Sequence, residues 1–553
     1  MRWGCIAAII PVLLFASQET QAQSELIAHW PFSADTADAT TTKRSSLARA
    51  VRIVADGPNA VLKSAAEFDG HQSVIEVDSA GLSDVVSRPF SVSTWIHISE
   101  ELDDVPGDIL SLWDPQKLAG FHLGVYSHRG VTNSQSNERQ LHFGINNAQL
   151  EPEFRNHGRL GSAVFVFALC VHNGRLYAST CSAGATEAGH VYRYEGDERW
   201  TDLGSPDTAN AVSAMTTYNG DLYVASGKYR LAGSSLSESE NPNLGGRVFR
   251  LGPDDKWIAC GRVSEETEAI SSLIEFRGRL YAASLYKPAG FFRYEGDDRW
   301  EACETPEGKR VEATTVFNGY LYATCYDEGA VFRFDGEQWE RVGTIPEATQ
   351  TYGFAVHDGS LFVSEWPQAH VYRYRGGTMW DDAGKLGTEL EAMPLLVYNG
   401  SMYGGTLPSA EVYRFAGEQL WTRIAQVDTT PDVKYRRAWS MAVYQGRLFV
   451  GTLPSGRVLS IEAGRNATHD TALPGGWHHV AAVRGTDRLE LYLDGKKVAQ
   501  SQPFDAANYV IRATQPLKIG FGAQDHFHGR IADLRIYRGA LSAQEIQSLS
   551  AFQ

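Results

Sequence analysis

The sequence predicts an all-β protein in which a ring of repeated four-stranded sheets, a β-propeller, is inserted into a β-sandwich. A turn motif recurs seven times between residues 172 and 449, at intervals of about 40 to 58 residues, a spacing that indicates propeller blades. A short alternating strand with a central arginine, then a tryptophan, follows most of these turns. The β-rich segments on either side of the repeats each lack half of a sandwich, so together they predict one divided domain.

Each repeat predicts four antiparallel strands, a to d. Strand a ends in Asn-Gly or a close relative, which favours a tight hairpin because both turn residues need positive φ. Strand c alternates, as in Val191–Tyr194, which places its arginine on the face opposite the aromatic residues. Trp200 and its equivalents open strand d. The seven turn motifs are His172–Tyr177, Tyr218–Tyr223, Phe276–Tyr281, Phe317–Tyr322, His357–Phe362, Tyr398–Tyr403 and Tyr444–Phe449.

The centre of each strand a carries a small residue in every repeat. Such residues are expected where the innermost strands crowd around a propeller axis. They are Ala168, Ala214, Ser272, Ala313, Gly353, Pro394 and Ser440.

The last repeat lacks its own strand d, and the first strand of the region is predicted to replace it. Phe154 precedes His172 by the same interval that separates Trp200 from Tyr218. Pairing of Phe154 with the strand around Val458 would close the ring and remove its exposed edges. We therefore predict a seven-bladed propeller over residues 150–464.

The repeats resemble kelch-type propellers in strand order and in the tryptophan that opens strand d. The double glycine of that family is mostly absent, and only Gly404-Gly405 comes near it. The resemblance implies an architecture and no particular reaction.

The flanking segments, residues 23–149 and 465–553, resemble laminin-G-like, concanavalin-A-type jellyroll domains. The motifs in the first segment are Leu26–Phe32, Glu67–Gly70, Phe90–Ile96 and Leu141–Ile145, and those in the second are Gly476–Val483, Leu489–Gly495, Leu517–Gly520 and Gly529–Tyr537. The resemblance implies that calcium is a possible ligand of the jellyroll, with Asp69 and Asp533 as candidate ligands. His526 and His528 share a strand face, but no third metal ligand is evident beside them.

Composition restricts the function classes. The chain has 553 residues and a formal net charge of −16, which argues against nucleic acid as a partner. Residues 1–22 predict a secretory signal, with Arg2, an apolar run and small residues before Gln23. That run is too short to span a bilayer, so we expect an exported protein without a membrane span. The five later cysteines, Cys170, Cys181, Cys260, Cys303 and Cys325, leave at least one thiol free and match no zinc spacing.

The insertion also predicts which propeller face is free. Because the junction with the sandwich replaces one c–d turn, the sandwich should cover the face that carries the Asn-Gly turns. Loops on a rigid scaffold commonly carry binding, and the opposite face displays the b–c loops. Aromatic residues recur there, at Tyr229, Tyr286, Tyr326 and Trp366, with Leu407 and Leu453 at the matching places of the later repeats. These rings are expected to bind a glycan or a surface protein; alternatively, they cap the blades and seal the channel.

Carboxylates on the same face provide the alternative of catalysis. Glu365 adjoins Trp366 and is a candidate ligand-binding residue, and other acidic residues lie close by at Glu312, Asp327, Glu328 and Glu391. Two carboxylates that flank a glycosidic bond are sufficient for hydrolysis. The sequence thus favours an exported binding or adhesion protein, and the alternative is an extracellular polysaccharide hydrolase or lyase with the jellyroll as an accessory module. No catalytic residue is assigned.

Overall fold

The computed structural model describes residues 24–148, 151–512 and 514–551. The predicted signal segment, residues 1–22, lies outside these ranges. Before the repeats, the described chain contains β1 (Glu25–Trp30), β2 (Ser46–Arg49), β3 (Arg52–Val54), β4 (Ala65–Asp69), β5 (Val74–Val77), α1 (Leu82–Val86), β6 (Phe90–Ile98), β7 (Gly107–Asp114), β8 (Ala119–His128) and β9 (Asn137–Asn146).

The repeat region contains β10 (Glu153–Arg159), β11 (Phe165–His172), β12 (Arg175–Cys181), β13 (Val191–Gly196), β14 (Arg199–Asp202), β15 (Ala211–Tyr218), β16 (Asp221–Gly227), β17 (Arg247–Leu251), β18 (Trp257–Arg262), β19 (Ile270–Phe276), β20 (Arg279–Ser284), β21 (Phe291–Gly296), β22 (Arg299–Cys303), β23 (Val311–Phe317), β24 (Tyr320–Cys325), β25 (Ala330–Phe334), β26 (Trp339–Thr344), β27 (Gln350–His357), β28 (Ser360–Trp366), β29 (His370–Gly376), β30 (Met379–Lys385), β31 (Glu391–Tyr398), β32 (Ser401–Leu407), β33 (Glu411–Phe415), β34 (Trp421–Gln426), β35 (Arg437–Tyr444), β36 (Arg447–Leu453) and β37 (Arg457–Glu462). After it come β38 (Arg465–His469), β39 (Gly476–Arg484), β40 (Leu489–Leu493), β41 (Lys496–Gln500), β42 (Leu517–Ile519), β43 (His528–Arg538) and α2 (Ala543–Ser550).

The propeller has five separate four-stranded blades among the described residues, not the seven predicted. These are β19–β22, β23–β26, β27–β30, β31–β34, and β35–β37 with β10. The first two repeats, β11–β14 and β15–β18, instead form one eight-stranded sheet, because Cys181 at the end of β12 pairs with Ala211 at the start of β15. The sequence repeat predicts four-stranded units, but it carries no signal for this single contact between neighbouring units.

The predicted closure of the ring is confirmed. Strand β10 pairs antiparallel with β37, and Phe154 lies opposite Ile461. A buried ion pair stabilises this seam, with 2.7 Å between Arg447 Nη1 and Glu462 Oε2. Arg447 also donates to the main-chain oxygen of Glu153, so the pair ties the first strand of the ring to the last.

Both flanking segments contribute strands to the same two sheets. One sheet has the order β3-β4-β43-β6-β39-β40-β41, with β1 also paired to β43; the other has the order β2-β5-β42-β7-β8-β9-β38. The two sheets bury a shared core in which Phe90 from the first packs on Phe121 and Phe143 from the second. Since residues alternate along a strand, the intervening residues of β8 and β9 face the propeller.

The sandwich covers the face of the Asn-Gly turns, as predicted. The Gly319 amide donates to Asp104, and the Asp358 amide donates to the main-chain oxygen of Ala523. The Asn399 side-chain amide donates to the main-chain oxygens of Ile145 and Ala463. The b–c loops therefore lie on the other face, which we call the free face.

The loop between β8 and β9, residues 129–136, enters the central channel of the propeller. We call it the plug loop. It forms main-chain hydrogen bonds with three inner strands: Phe354 donates to Gly130, Met215 donates to Asn133, and Val171 donates to Ser136. The channel wall therefore supplies the hydrogen-bond partners of these three main-chain oxygens.

Candidate functional site

The predicted aromatic residues of the b–c loops converge on the free face. Tyr229, Tyr286, Tyr326 and Trp366 all belong to one hydrophobic cluster, which also includes Leu407 and Leu453. Each follows or ends a second blade strand, so the repeat brings equivalent positions together around the axis. We call this group, with the inner-strand residues described next, the axial cluster.

Inner-strand residues form the base of the axial cluster. Phe165 and Phe167 open β11, Tyr352 lies near the start of β27, and Trp439 near the start of β35. The ring centroid of Phe165 lies 5.5 Å from that of Tyr229 and 5.1 Å from that of Trp439. Tyr326 and Trp439 lie on either side of Tyr352, at 6.1 and 6.3 Å. The edge-to-face packing holds the rings rigidly.

The plug loop supports this base from the channel side. The Thr132 hydroxyl donates to the main-chain oxygen of Trp439 over 3.0 Å, and Asn133 Nδ2 donates to that of Ser271 over 2.7 Å. A segment of the sandwich therefore reaches the floor of the free-face surface. The sequence carried no signal for this, because a polar loop between two strands has no periodicity that indicates its destination.

Exposure differs among the predicted ligand-binding residues. Tyr286, Tyr326 and Trp366 are half-buried, so each ring keeps some accessible surface, whereas Tyr229 is buried and hydrogen-bonds with the Ser234 hydroxyl. Guanidinium groups lie over two of the half-buried rings: Arg230 over Tyr286 at 4.5 Å and Arg310 over Tyr326 at 5.1 Å. These contacts orient the tyrosines and place donors beside them.

Glu365, a predicted ligand-binding residue, is buried. It is 1% exposed. Its carboxylate accepts hydrogen bonds from the main-chain N–H groups of Gln368 and His370. It therefore fixes the loop that follows Trp366, and its position beside that residue in the sequence did not indicate this role.

Three ionisable side chains lie beneath the rings. Glu312, Glu391 and Arg437 stand at the starts of β23, β31 and β35 and are at most 7% exposed. Burial raises the pKa of Glu391, and Arg437, 3.8 Å away, opposes that rise. Burial raises the pKa of Glu312 to about 8, while the nearby Tyr326 hydroxyl acts in the other direction without forming a well-aligned hydrogen bond. Glu312 is thus predominantly protonated at neutral pH.

Among the described residues, neither Asp69 nor Asp533, the predicted calcium ligands, belongs to a group of three or more side chains that could hold a metal ion. Asp69 accepts hydrogen bonds from the main-chain N–H groups of His71, Gln72 and Ser73, which lower its pKa although burial acts in the opposite sense. Asp533 accepts from His29 at 2.7 Å and from Arg535 at 3.0 Å. Both carboxylates have structural partners, and calcium binding by either stays a prediction.

A concave surface lies between the propeller and the sandwich. This cleft has a volume of about 740 Å³ and is lined by aromatic and charged side chains, among them Trp113, Phe415, Arg373, Asp381 and Lys518. It contains none of the residues of the axial cluster. In the part of the chain that the structure describes, no helix is long and apolar enough to cross a bilayer.

Comparison with known proteins identifies the sandwich. Residues 415–547 match the model of the concanavalin A-like lectin/glucanases superfamily, a laminin G-type family. The match begins at the end of β33, in the propeller, and continues through the second sandwich segment. The protein therefore combines a propeller with a concanavalin A-like domain. No curated protein matches the sequence.

Solved structures resemble part of the chain at low identity. A catalytically inactive virginiamycin B lyase from Staphylococcus aureus has a TM-score of 0.45 and 13% identity, over 56% of this chain and 99% of the lyase. A GH74 xyloglucanase from Xanthomonas campestris has a TM-score of 0.40 and 13% identity, over 66% of this chain and 61% of the xyloglucanase. Likeness at this level carries no argument about activity.

Proposed function

We propose that this protein is an exported binding protein that recognises extracellular glycans through the axial cluster on the free face. The convergence of Tyr286, Tyr326 and Trp366 on one rigid surface is the observation that carries the proposal. Pyranose rings present apolar C–H faces that stack on aromatic rings, and their hydroxyls pair with donors such as Arg230 and Arg310. The concanavalin A-like domain is a second recognition module attached to the opposite face.

The test is a glycan array with the full chain, followed by titration of the tryptophan fluorescence with the best ligand. Tyr286→Ala and Tyr326→Ala should each weaken binding about tenfold, since an aromatic stacking contact contributes about 0.5–1.5 kcal/mol beyond its buried area. Tyr320→Ala is the matched control. Tyr320 is half-buried at the other end of β24, beside the sandwich, and its removal should leave affinity within about twofold. Equal losses in all three variants would refute binding at the axial cluster.

A second candidate, hydrolysis or lysis of an extracellular polysaccharide, is favoured by one observation. Glu312 and Glu391 both lie beneath the axial cluster, interact electrostatically, and have raised pKa values. A protonated carboxyl beside a second one is the arrangement that glycosidases use for general acid chemistry.

A reducing-end and unsaturated-product assay separates the two candidates. A binding protein releases no product from any ligand identified on the array. Product formation that is lost in both Glu312→Gln and Glu391→Gln would instead establish the enzyme.

A further inference from the structure

Strands β7, β8 and β9, in the sandwich sheet that faces the propeller, bring a carboxylate and two imidazoles together. Asp108 on β7 pairs with Gly124 on β8, and Gly124 pairs with His142 on β9. His122 lies two residues before Gly124, on the same face. Because Gly124 has no side chain, the Asp108 and His142 side chains approach each other across it. One ligand atom from each of Asp108, His122 and His142 lies within 4.8 Å of the other two, and all three residues are buried.

The hydrogen bonds of Asn399 fix the tautomer of His122. Asn399 Nδ2 donates to two main-chain oxygens, so its Oδ1 is the atom 2.9 Å from His122 Nε2. That contact requires a proton on Nε2. Nδ1 of the neutral ring therefore carries a lone pair, and this buried atom has no hydrogen-bond partner. Metal-binding histidines are commonly held in this way, with the other ring nitrogen donating to an oxygen.

The remaining donors are similarly arranged. His142 Nε2 is buried without a hydrogen-bond partner. Both imidazole rings are buried. Asp108 accepts hydrogen bonds from the Tyr126 hydroxyl and from the main-chain N–H of Gln524. A cation at this position would give the Asp108 carboxylate a positively charged partner.

We propose that Asp108, His122 and His142 form a binding site for a divalent transition-metal ion, with Zn²⁺ as the best match. Two imidazole nitrogens and one carboxylate oxygen suit zinc, with bonds of about 2.0–2.2 Å and a fourth position for a small ligand. Calcium prefers sets of six to eight oxygen ligands, so this site differs in chemistry from the calcium site that the jellyroll resemblance implies.

The location gives the ion a structural role. His122 and His142 lie on the two strands that carry the plug loop, and the Asn399 partner belongs to a propeller turn. Gly144 on β9 lies opposite His122 on β8, and a Cβ atom at Gly144 would lie 2.1 Å from Asn399 Oδ1. Glycine at this position therefore allows Asn399 of the propeller to contact His122. The ion would hold together the strands that carry the plug loop and would fix the His122 ring that contacts Asn399 of the propeller.

The test is metal analysis of the full chain after expression with Zn²⁺ and removal of loosely bound ions by a chelator. We expect about one zinc ion per chain, and at least a tenfold loss of bound zinc in Asp108→Asn and His142→Gln. His128→Gln is the matched control, because His128 is a buried histidine on β8, the strand of His122, and its Nε2 also lacks a partner. It does not belong to the cluster. Zinc content equal in all variants, or absent from the native protein, would overturn the proposal.

X-ray absorption by the zinc-loaded native protein tests the ligands without relying on variants that fail to fold. A first shell of two imidazoles and oxygen is expected. A shell that contains sulfur, or oxygen alone, would indicate an adventitious ion only and would also overturn the proposal.

Discussion

At the scale of single residues, the two buried carboxyls beneath the axial cluster, Glu312 and Glu391, are stabilised differently. Glu391 has a cationic partner in Arg437, whereas neither oxygen of Glu312 has a hydrogen-bond partner with good geometry. An ionised carboxylate in such a place is costly, so the group remains protonated instead. The consequence is a dependence of stability on pH that can be assigned to one side chain.

Glu312→Gln should stabilise the protein at alkaline pH relative to the native chain. The pKa of Glu312 is about 8 when folded and about 4.5 when unfolded. The favourable contribution of Glu312 to the free energy of unfolding is therefore complete below pH 4.5 and is lost as the pH rises to 8. The upper limit of this loss is roughly 4–5 kcal/mol, from 1.36 kcal/mol per pKa unit. The glutamine variant lacks the titrating group, so the difference in free energy of unfolding between variant and native chain should grow in favour of the variant from pH 5 to pH 8.

Urea unfolding at several pH values measures this difference. Glu337→Gln is the control, because Glu337 is exposed in a turn of the neighbouring outer hairpin. It should follow the native pH profile. Parallel profiles for Glu312→Gln and the native chain would show that Glu312 is ionised when folded.

At the scale of elements, the plug loop links the two domains. It follows β8 and precedes β9, and its backbone pairs with inner strands on different sides of the channel. This pairing requires the backbone of the plug loop to lie very close to the inner strands. At Gly130, where φ is +67°, a Cβ atom would lie 2.9 Å from the main-chain oxygen of Thr314. Only glycine combines this conformation with this proximity.

Gly130→Ala should destabilise the protein by more than the conformational cost of an alanine at positive φ. Gly220→Ala is the matched control, since Gly220 has a φ of +78° with nothing within 4 Å of a Cβ atom. Both variants incur about 1–2 kcal/mol of left-handed strain. Gly130→Ala should lose a further 1–3 kcal/mol or so, because the wall of the channel must move. Urea unfolding measures the free energy of unfolding of both variants. Equal losses would mean that the plug loop is not tightly packed against the channel wall.

Sequence periodicity predicted those features of the propeller that depend on the repeat alone. The four-stranded units, the pairing of Phe154 with the last blade, the covered face and the convergence of Tyr286, Tyr326 and Trp366 follow from repeat spacing and turn chemistry. The joining of two units at Cys181 and Ala211 does not, because it depends on a single interstrand contact. The plug loop and the cluster of Asp108, His122 and His142 were also missed, since both depend on how distant segments pack.

At the scale of the whole molecule, the sandwich and the propeller share one interior. The sandwich contributes the plug loop to the channel of the propeller. Polar contacts such as those of Asn399 and Asp104 connect the two domains at the propeller face that carries the Asn-Gly turns. The chain also crosses between them twice. At one crossing Arg465 pairs with Glu153, which brings the entry and exit strands of the propeller together. These contacts predict that neither domain unfolds without the other.

Hydrogen exchange measured by mass spectrometry at increasing urea concentration tests this coupling, because it reports on peptides from each domain separately. Peptides from the sandwich strands and from the inner propeller strands should lose protection at the same urea midpoint, as in a single cooperative transition. Gly130→Ala should lower both midpoints together, although the substitution lies in the sandwich segment of the chain. Separate midpoints in the native protein, or a shift confined to one domain in the variant, would show that the plug loop occupies the channel without coupling the stability of the two domains.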